Sequence, residues 1–519
     1  MIGRTVAAVA AVAAAGAGLT GVPANAAAAS IQVGYLNRSG GTEDMQASLI
    51  DLSNGKTYSA NSGAATAVPA GRYAVGGYIT EYPTLTVAVR VVQISGPTKL
   101  VFDTGKAGKV SFDVGDSNLT TSGLAVVPSV TVGHKQRAWI ADNGIVWPGE
   151  STYVLADPSA AKAIRLGVHG VLTKRGADPS PVRYDLAKSF TGMPGDVTVK
   201  ANPKQLARVD LDVATLDAAQ TSNFGLEALN PDGSPITGIG VAVPALGKQT
   251  DYRTPGLQWT TRLTENSRDA TEFLTENATP HVYAAGKSYQ ESWGHGVWSP
   301  RPNSPAIYLS GNNLRVGGGP PICAWAGNGV KLDECQAQQQ DFSYTLYKDG
   351  KQVGSGQSIS LPVDTVAAHW YTVELTASRQ GHEIDLSTTV GAKWYFQAGG
   401  STRTHPKPNV IVIVHGQPQP GSIRMLPAGL NNRNQAASNA ATTVALSVAD
   451  FPDVASMTLE WSGDGGKTWQ NVAVTGSGNN RSAKVPALGK PGTVSLRVSA
   501  KSATGATVAE TVINAYGVH

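Results

Sequence analysis

Phe342-Ser343-Tyr344-Thr345-Leu346-Tyr347-Lys348-Asp349-Gly350-Lys351-Gln352-Val353 alternates large apolar with polar side chains, breaks at Asp-Gly, and resumes. Side chains of a strand point to opposite faces in turn, so a period of two marks a half-buried strand. Asp-Gly readily adopts the positive backbone angles of a tight hairpin. The same period recurs at Leu85, Val87, Val89 and Val91, at Val209, Leu211 and Val213, at Met457, Leu459 and Trp461, and at Val494, Leu496 and Val498. Val410 to Val414 is apolar on both faces and reads as a central strand covered from two sides. Helical spacing is confined to short Ala-containing stretches such as Ser159 to Ile164. The expected fold class is all-β, a series of tandem β-sandwiches of the immunoglobulin or fibronectin III kind.

A chain of 519 residues exceeds what one hydrophobic core supports, so three or four units are expected. Turn residues cluster, and strand patterns pause, near Val127 to Ser129, Thr264 to Arg268 and Gly399 to Pro408. The expected division is therefore a leader over 1–26, sandwiches over 27–128, 129–266 and 267–400, and a C-terminal immunoglobulin-like or fibronectin III-like sandwich over 405–519. No repeat of fixed period occurs, which disfavours a propeller or solenoid. The 59 Gly and 30 Pro are spread throughout, as turn residues between many short strands would be.

Arg4, an Ala/Val/Gly-rich run and Ala24-Asn25-Ala26 have the charged head, apolar middle and small-residue cleavage site of an export signal. The protein is expected to be secreted and extracellular. No second apolar run is long enough for a membrane anchor. A net charge of +4 without a dense Lys/Arg cluster gives no footprint for nucleic acid. Cys323 and Cys335 lie in one Gly/Pro-rich segment of an exported chain, and a disulfide between them is expected. Closing so short a loop would contribute about 3 kcal/mol in the chain-entropy model. Neither cysteine has a histidine at zinc-ligand spacing, so no metal and no cofactor is expected.

No motif completes a catalytic set. Asp103-Thr104-Gly105 matches three residues of an aspartate segment found in two protease classes, but no G-T-S segment supplies a nucleophile, and a strand-end turn is the simpler reading. G-x-S-x-G is absent, and His382-Glu383 lacks the second zinc-binding histidine because Leu386 stands there. No catalytic residue is assigned, and the chain is expected not to be an enzyme. Ser462-Gly463-Asp464-Gly465-Gly466-Lys467-Thr468-Trp469 resembles the Asp-box, S-x-D-x-G-x-T-W, of sialidases and other glycan-acting propellers. Its Ser462 and Asp464 side chains can bond turn N–H groups, Gly466 permits the turn dihedrals, and Trp469 packs beneath the hairpin. A single copy shapes a turn and does not catalyse. The densest aromatic region holds Tyr289, Trp293, Trp298 and Tyr308, with His295 and Trp325 beside them. Exposed rings among these would stack on sugars or dock a protein, and buried ones would build a β core.

Several segments, read in order, resemble the region that follows the catalytic domain in large secreted bacterial subtilases. They are Pro69 to Tyr73, Val101 to Ala107, Tyr289 to Trp293, Tyr344 to Gly350, Trp394 to Phe396, and the ending Leu459 to Trp461 and Asn514 to Gly517. The resemblance implies β-sandwiches in an extracellular compartment. It does not imply proteolysis, because the leader runs straight into the sandwich region and no triad residue is present to carry over. The expected function is a noncatalytic binding protein. Its partner would be an extracellular protein, such as a protease or its substrate, with a polysaccharide as the alternative.

Overall fold

The computed structural model describes residues 29–61, 63–132, 135–138, 145–146, 150–160, 163–215, 221–245, 247–266, 272–300, 306–310, 313–317, 322–323, 332–337, 341–364, 367–379, 385–399, 420–449, 451 and 453–519. The leader, Val410 to Val414, His382-Glu383 and Trp325 lie outside them. The chain is all-β: every element among the described residues is a strand apart from three single 3-10 turns. One of these, Pro158–Ala160, takes the place of the short helical stretch expected near Ser159.

Four sheets are stacked face to face in the N-terminal part. The first layer holds Ser30–Leu36 between short partners and Pro97–Asp103. The second orders Val197–Lys200, Gly108–Asp113, Ser151–Leu155, Thr84–Ile94, Gly71–Glu81, Ala47–Asp51 and Thr57–Ala60. The third runs from Lys135–Ala138 through Leu119–Val132, Ile164–Lys174, Val182–Thr191, Gly247–Arg253 and Ala207–Val213 to Ser288–Trp293. The fourth contains Val241–Pro244, Thr221–Leu229, Gln258–Asn266, Glu272–Ala278 and Leu332–Ala337.

Apolar side chains fill each gap. Ile31, Val33, Tyr73, Val75 and Phe102 pack between the first and second layers. Val87, Val89, Leu166, Val168 and Leu186 lie between the second and third. Val209, Leu211, Phe224, Trp259 and Trp293 lie between the third and fourth. Along Thr84–Ile94 three of the expected set, Leu85, Val87 and Val89, are buried and the fourth, Val91, is half-buried, but Thr86 and Ala88 are buried too. The strand is covered on both faces, which a central layer requires.

The expected boundaries are therefore corrected. Leu119–Val132 runs across 128/129, and Ser151–Leu155 pairs in parallel with Thr84–Ile94. Gln258–Asn266 and Glu272–Ala278 pair with each other across 266/267. Thr389–Gly399 pairs with Thr507–Val518, joining 267–400 to 405–519 in one sheet. Hydrogen-bonded sheets, rather than the turns that interrupt the sequence, decide which strands belong together.

The C-terminal part is two immunoglobulin-like sandwiches sharing a sheet. In the first, Ala306–Ser310, Asn313–Gly317 and Ser358–Pro362 oppose the order Lys351–Gly356, Asp341–Lys348, Ala368–Ser378, Thr389–Gly399. In the second, Ser422–Pro427, Thr442–Ala449, Asn480–Val485 and Val474–Ser477 oppose Gln470–Val472, Val454–Ser462, Gly492–Ser502, Thr507–Val518. The last strands of the two sandwiches pair antiparallel from Thr389↔Ile513 to Tyr395↔Thr507. An exposed last strand would offer unpaired N–H and C=O groups to any passing chain, and this pairing covers both at once. One continuous core, including Trp298, Tyr344, Tyr371, Trp394, Leu459, Leu496 and Val508, runs beneath the joined sheet.

Asn434 fastens this pair to the stack. It is fully buried at φ 52°, a left-handed conformation that Asn tolerates better than most residues. Its Nδ2 donates to Thr215 O at 3.1 Å and Gly294 O at 2.9 Å, and its Oδ1 accepts from Gly296 N at 3.3 Å.

Candidate functional site

Trp293 and Trp298 are fully buried, the first against Phe224 in the stack and the second in the core of the immunoglobulin-like pair. Of the two readings of these rings, Trp293 and Trp298 take the core one, their large apolar area packed in the interior. Tyr289 is half-buried and makes edge contacts with His281 and Tyr283. Tyr308 is exposed on Ala306–Ser310, an element of the other half of the molecule. The four do not form one surface.

Cys323 stands on Ile322–Cys323, which pairs with Ser299–Pro300, and Cys335 on Leu332–Ala337, which pairs with Glu272–Ala278. Their side chains lie outside the described residues. Asp103-Thr104-Gly105 is a strand-end turn in which the Asp103 side chain accepts from Gly105 N.

The Asp-box segment folds as its residue types dictate. Ser462 Oγ accepts from Gly466 N at 2.9 Å, and Asp464 Oδ1 accepts from Lys467 N and Thr468 N at 3.0 Å each. Gly465 and Gly466 have φ of 74° and 84°. Hydrogen bonds from the hydroxyls of Ser462 and Thr468 hold the Asp464 carboxyl well below its usual range. Trp469 is half-buried beneath the turn, with the Arg497 guanidinium 4.1 Å from its ring centroid.

The strongest concentration of titratable groups is one that motif reading missed. Arg183-Tyr184-Asp185 and Asp251-Tyr252-Arg253 are the same tripeptide reversed, and their strands pair in parallel with Arg183↔Asp251, Tyr184↔Tyr252 and Asp185↔Arg253 in register. Opposite charges thus meet side by side on the face turned to the fourth layer, while the two tyrosines stack on the other face at 4.8 Å. Sequence comparison of the two tripeptides could have found this, given the parallel pairing.

Arg183, Asp185, Asp251 and Arg253 are essentially inaccessible to solvent. Arg183 binds both oxygens of Asp185 and donates to Phe224 O. His169 Nε2 lies 2.9 Å from Asp185 Oδ1. Arg253 donates to Asp251 at 2.7 Å and reaches over the neighbouring strand to Glu291 at 3.2 and 3.3 Å. Tyr283 and the Trp293 indole N–H also bond Glu291. Burial disfavours charge on Asp185, but Arg183 and His169 outweigh it and hold this carboxyl well below the usual range. Burial and the adjacent Asp185 push Asp251 up to about 8. A proton held on Asp251 relieves its repulsion with Asp185 inside the cluster. Such a set can fix strand register and orientation, and among the described residues its side chains are closed to solvent.

The open face of the joined sheet is an extended organised surface among the described residues. Ser343, Thr345, Tyr347, Thr372, Glu374, Gly391, Lys393, Tyr395, Ala509, Thr511, Arg497 and Ser499 alternate with buried neighbours along its strands. Near one end Trp370 and Tyr395 stack at 4.4 Å with 9° between ring planes, beside the Glu374–Lys393 pair at 2.7 Å. At the other, Trp469 carries Arg497, which bonds Glu460 at 3.3 Å.

No family model and no curated protein matches this chain. Among the described residues no group of three or more His, Cys, Asp or Glu could hold a metal ion, and no helix is long and apolar enough to cross a membrane.

Proposed function

We propose that this chain is a secreted, noncatalytic binding protein that docks an extracellular protein on the open face of the joined sheet. The observation that carries the reading is the antiparallel pairing of Thr389–Gly399 with Thr507–Val518, which makes two immunoglobulin-like sandwiches one platform. Eight strands at about 4.8 Å spacing span roughly 38 Å, and about seven residues of each give roughly 23 Å in the other direction. That face, on the order of 900 Å², suits one side of a standard protein interface. Aromatic and Arg anchors at its two ends, with small residues such as Gly391, Ala509 and Thr511 between them, fit the composition of such interfaces. A preformed platform also loses little conformational entropy on binding.

Trp370 and Tyr395 cover each other's ring faces, which favours a protein over a sugar at this surface. The export-signal pattern supports secretion, and the resemblance to subtilase C-terminal regions supports a protease or its substrate as partner. The test immobilises the full chain and a Trp370→Ala/Tyr395→Ala variant and passes the producing organism's culture medium over both. The expected result is a discrete protein retained by the native chain and lost with the variant. Equal retention on both, or none on either, refutes docking at this face.

A further inference from the structure

We propose that a second face, on Ala207–Val213, Gly247–Arg253 and Ser288–Trp293, is a groove that binds a neutral, hydroxyl-rich ligand, namely a short oligosaccharide. These strands end the third layer. Their Val209, Leu211, Asp251, Glu291 and Trp293 side chains face the fourth layer, so the residues between them face the other way. On that side the apolar filling against the second layer ends at Tyr252, which packs on Tyr184. Beyond it lies a groove of about 390 Å³ lined by Pro181, Asp210, Asp212, Lys248, Gln290 and Ser292, among others. Its volume is within the range of small-molecule sites.

The strand register arranges the side chains in rows. Lys248, Asp212 and Ser292 stand side by side, then Thr250, Asp210 and Gln290, and these two rows line the groove. Tyr252, Arg208 and Ser288 form the next row, which continues the same face beyond the groove. Successive rows are two residues apart, ~7 Å, so three rows extend over ~13 Å. That length suits a short chain of sugars better than a single ring.

The charged groups are already partnered. Asp210 Oδ1 accepts from Arg208 and from Thr250 Oγ1, each at 3.0 Å, and Asp212 Oδ1 lies 3.2 Å from His295 Nε2. The adjacent His295 lowers the Asp212 pKa, which keeps this carboxyl an acceptor. Each carboxylate uses Oδ1 in these contacts, and Oδ2 takes none of them. Arg208 and Lys248 balance Asp210 and Asp212, so an anion meets two carboxylates and a cation meets two basic groups. A neutral polyol avoids both penalties. Its hydroxyls can donate to the carboxylates and to the Gln290 carbonyl, and accept from Lys248, Ser292 and the Gln290 amide.

The test titrates cellohexaose, chitohexaose and maltohexaose separately into the full chain by calorimetry. It is repeated with Asp212→Ala/Gln290→Ala and with Trp370→Ala/Tyr395→Ala, whose melting temperatures are checked against the native chain. At least one sugar should bind, the groove variant should lose roughly tenfold or more in affinity, and the sheet-face variant should bind as the native chain does. No binding of any of the three at 1 mM-scale sugar (roughly the weak end of useful affinity), or binding that survives the groove variant, overturns the proposal. So does tighter binding of a polygalacturonate or oligolysine probe than of every neutral sugar. Because the docking face is altered in a separate variant, failure here and failure of the protein-docking reading are distinguishable.

Discussion

Glu510→Gln should remove a pH dependence built into the core of the immunoglobulin-like pair. Glu510 is fully buried on Thr507–Val518, and its Oε1 accepts from Ile423 N at 2.8 Å. Burial pushes its carboxyl up from 4.5 to about 8, although the Ile423 N–H and Ser299 pull the other way. A carboxyl that holds its proton more tightly folded than unfolded stabilises the fold fully below the unfolded value. That contribution is lost as pH rises through the folded one. Each pH unit in between lowers the unfolding free energy by about 1.4 kcal/mol, or about 5 kcal/mol over the whole window. Glutamine keeps the acceptor for Ile423 N and cannot ionise. Urea unfolding followed by tryptophan fluorescence reports on this core through Trp394 and Trp461. The variant should gain on the native chain by about 1.4 kcal/mol per unit from pH 5 to 8 and level off above. Parallel stability curves for the two proteins across that window would refute the buried-proton reasoning.

Three further outcomes are expected. Asp185→Asn strips the partner from Arg183 and His169 and should cost about 3–5 kcal/mol, as breaking a buried ion pair does, whereas Asp251→Asn should cost much less at pH 6 because that carboxyl is protonated there; urea midpoints of the two variants at pH 6 decide it. Asn434→Ala leaves the buried Thr215 and Gly294 carbonyls without their donor and places a side chain without hydrogen-bonding capacity at φ 52°, which should cost about 3 kcal/mol, read as a lowered melting temperature. The protein should run in non-reducing mass spectrometry at the mass of a Cys323–Cys335 disulfide, and two alkylated thiols would show the pair to be open.

The hairpin at Asp349-Gly350 shows how much of the fold was legible. Asp349 has φ 47° and Gly350 φ 80°, and the flanking strands pair antiparallel around the turn, with a register shift at Leu346/Tyr347 that leaves Val353 exposed and out of the pairing. The Asp-box turn was legible for the same reason, since all of its hydrogen bonds run between residues within four positions of each other. The aromatic set was not: a period-two pattern reveals which residues share a strand face but not whether a second sheet covers the opposite face. Trp293 and Trp298 are buried for that reason, while Trp370, Tyr395 and Trp469 stand on the open face.

Local sequence determined the strands, the turns and the all-β class, because these depend on side-chain alternation and on backbone angles within a few residues. Tertiary structure alone decided the rest. Layers interleave across 128/129, last strands meet across 399–408, and Arg183-Tyr184-Asp185 finds its reversed copy nearly seventy positions away, Asp185 being 66 residues before Asp251 and Arg253 in parallel register with it. The charges there are tolerable in a dry interior because each guanidinium meets a carboxylate, Arg183 with Asp185 on its own strand and Arg253 with Asp251 and, two strands away, with Glu291; the parallel pairing gathers these groups into one cluster. No segment carries that information by itself, since the partner of a strand is chosen by the burial of both faces at once.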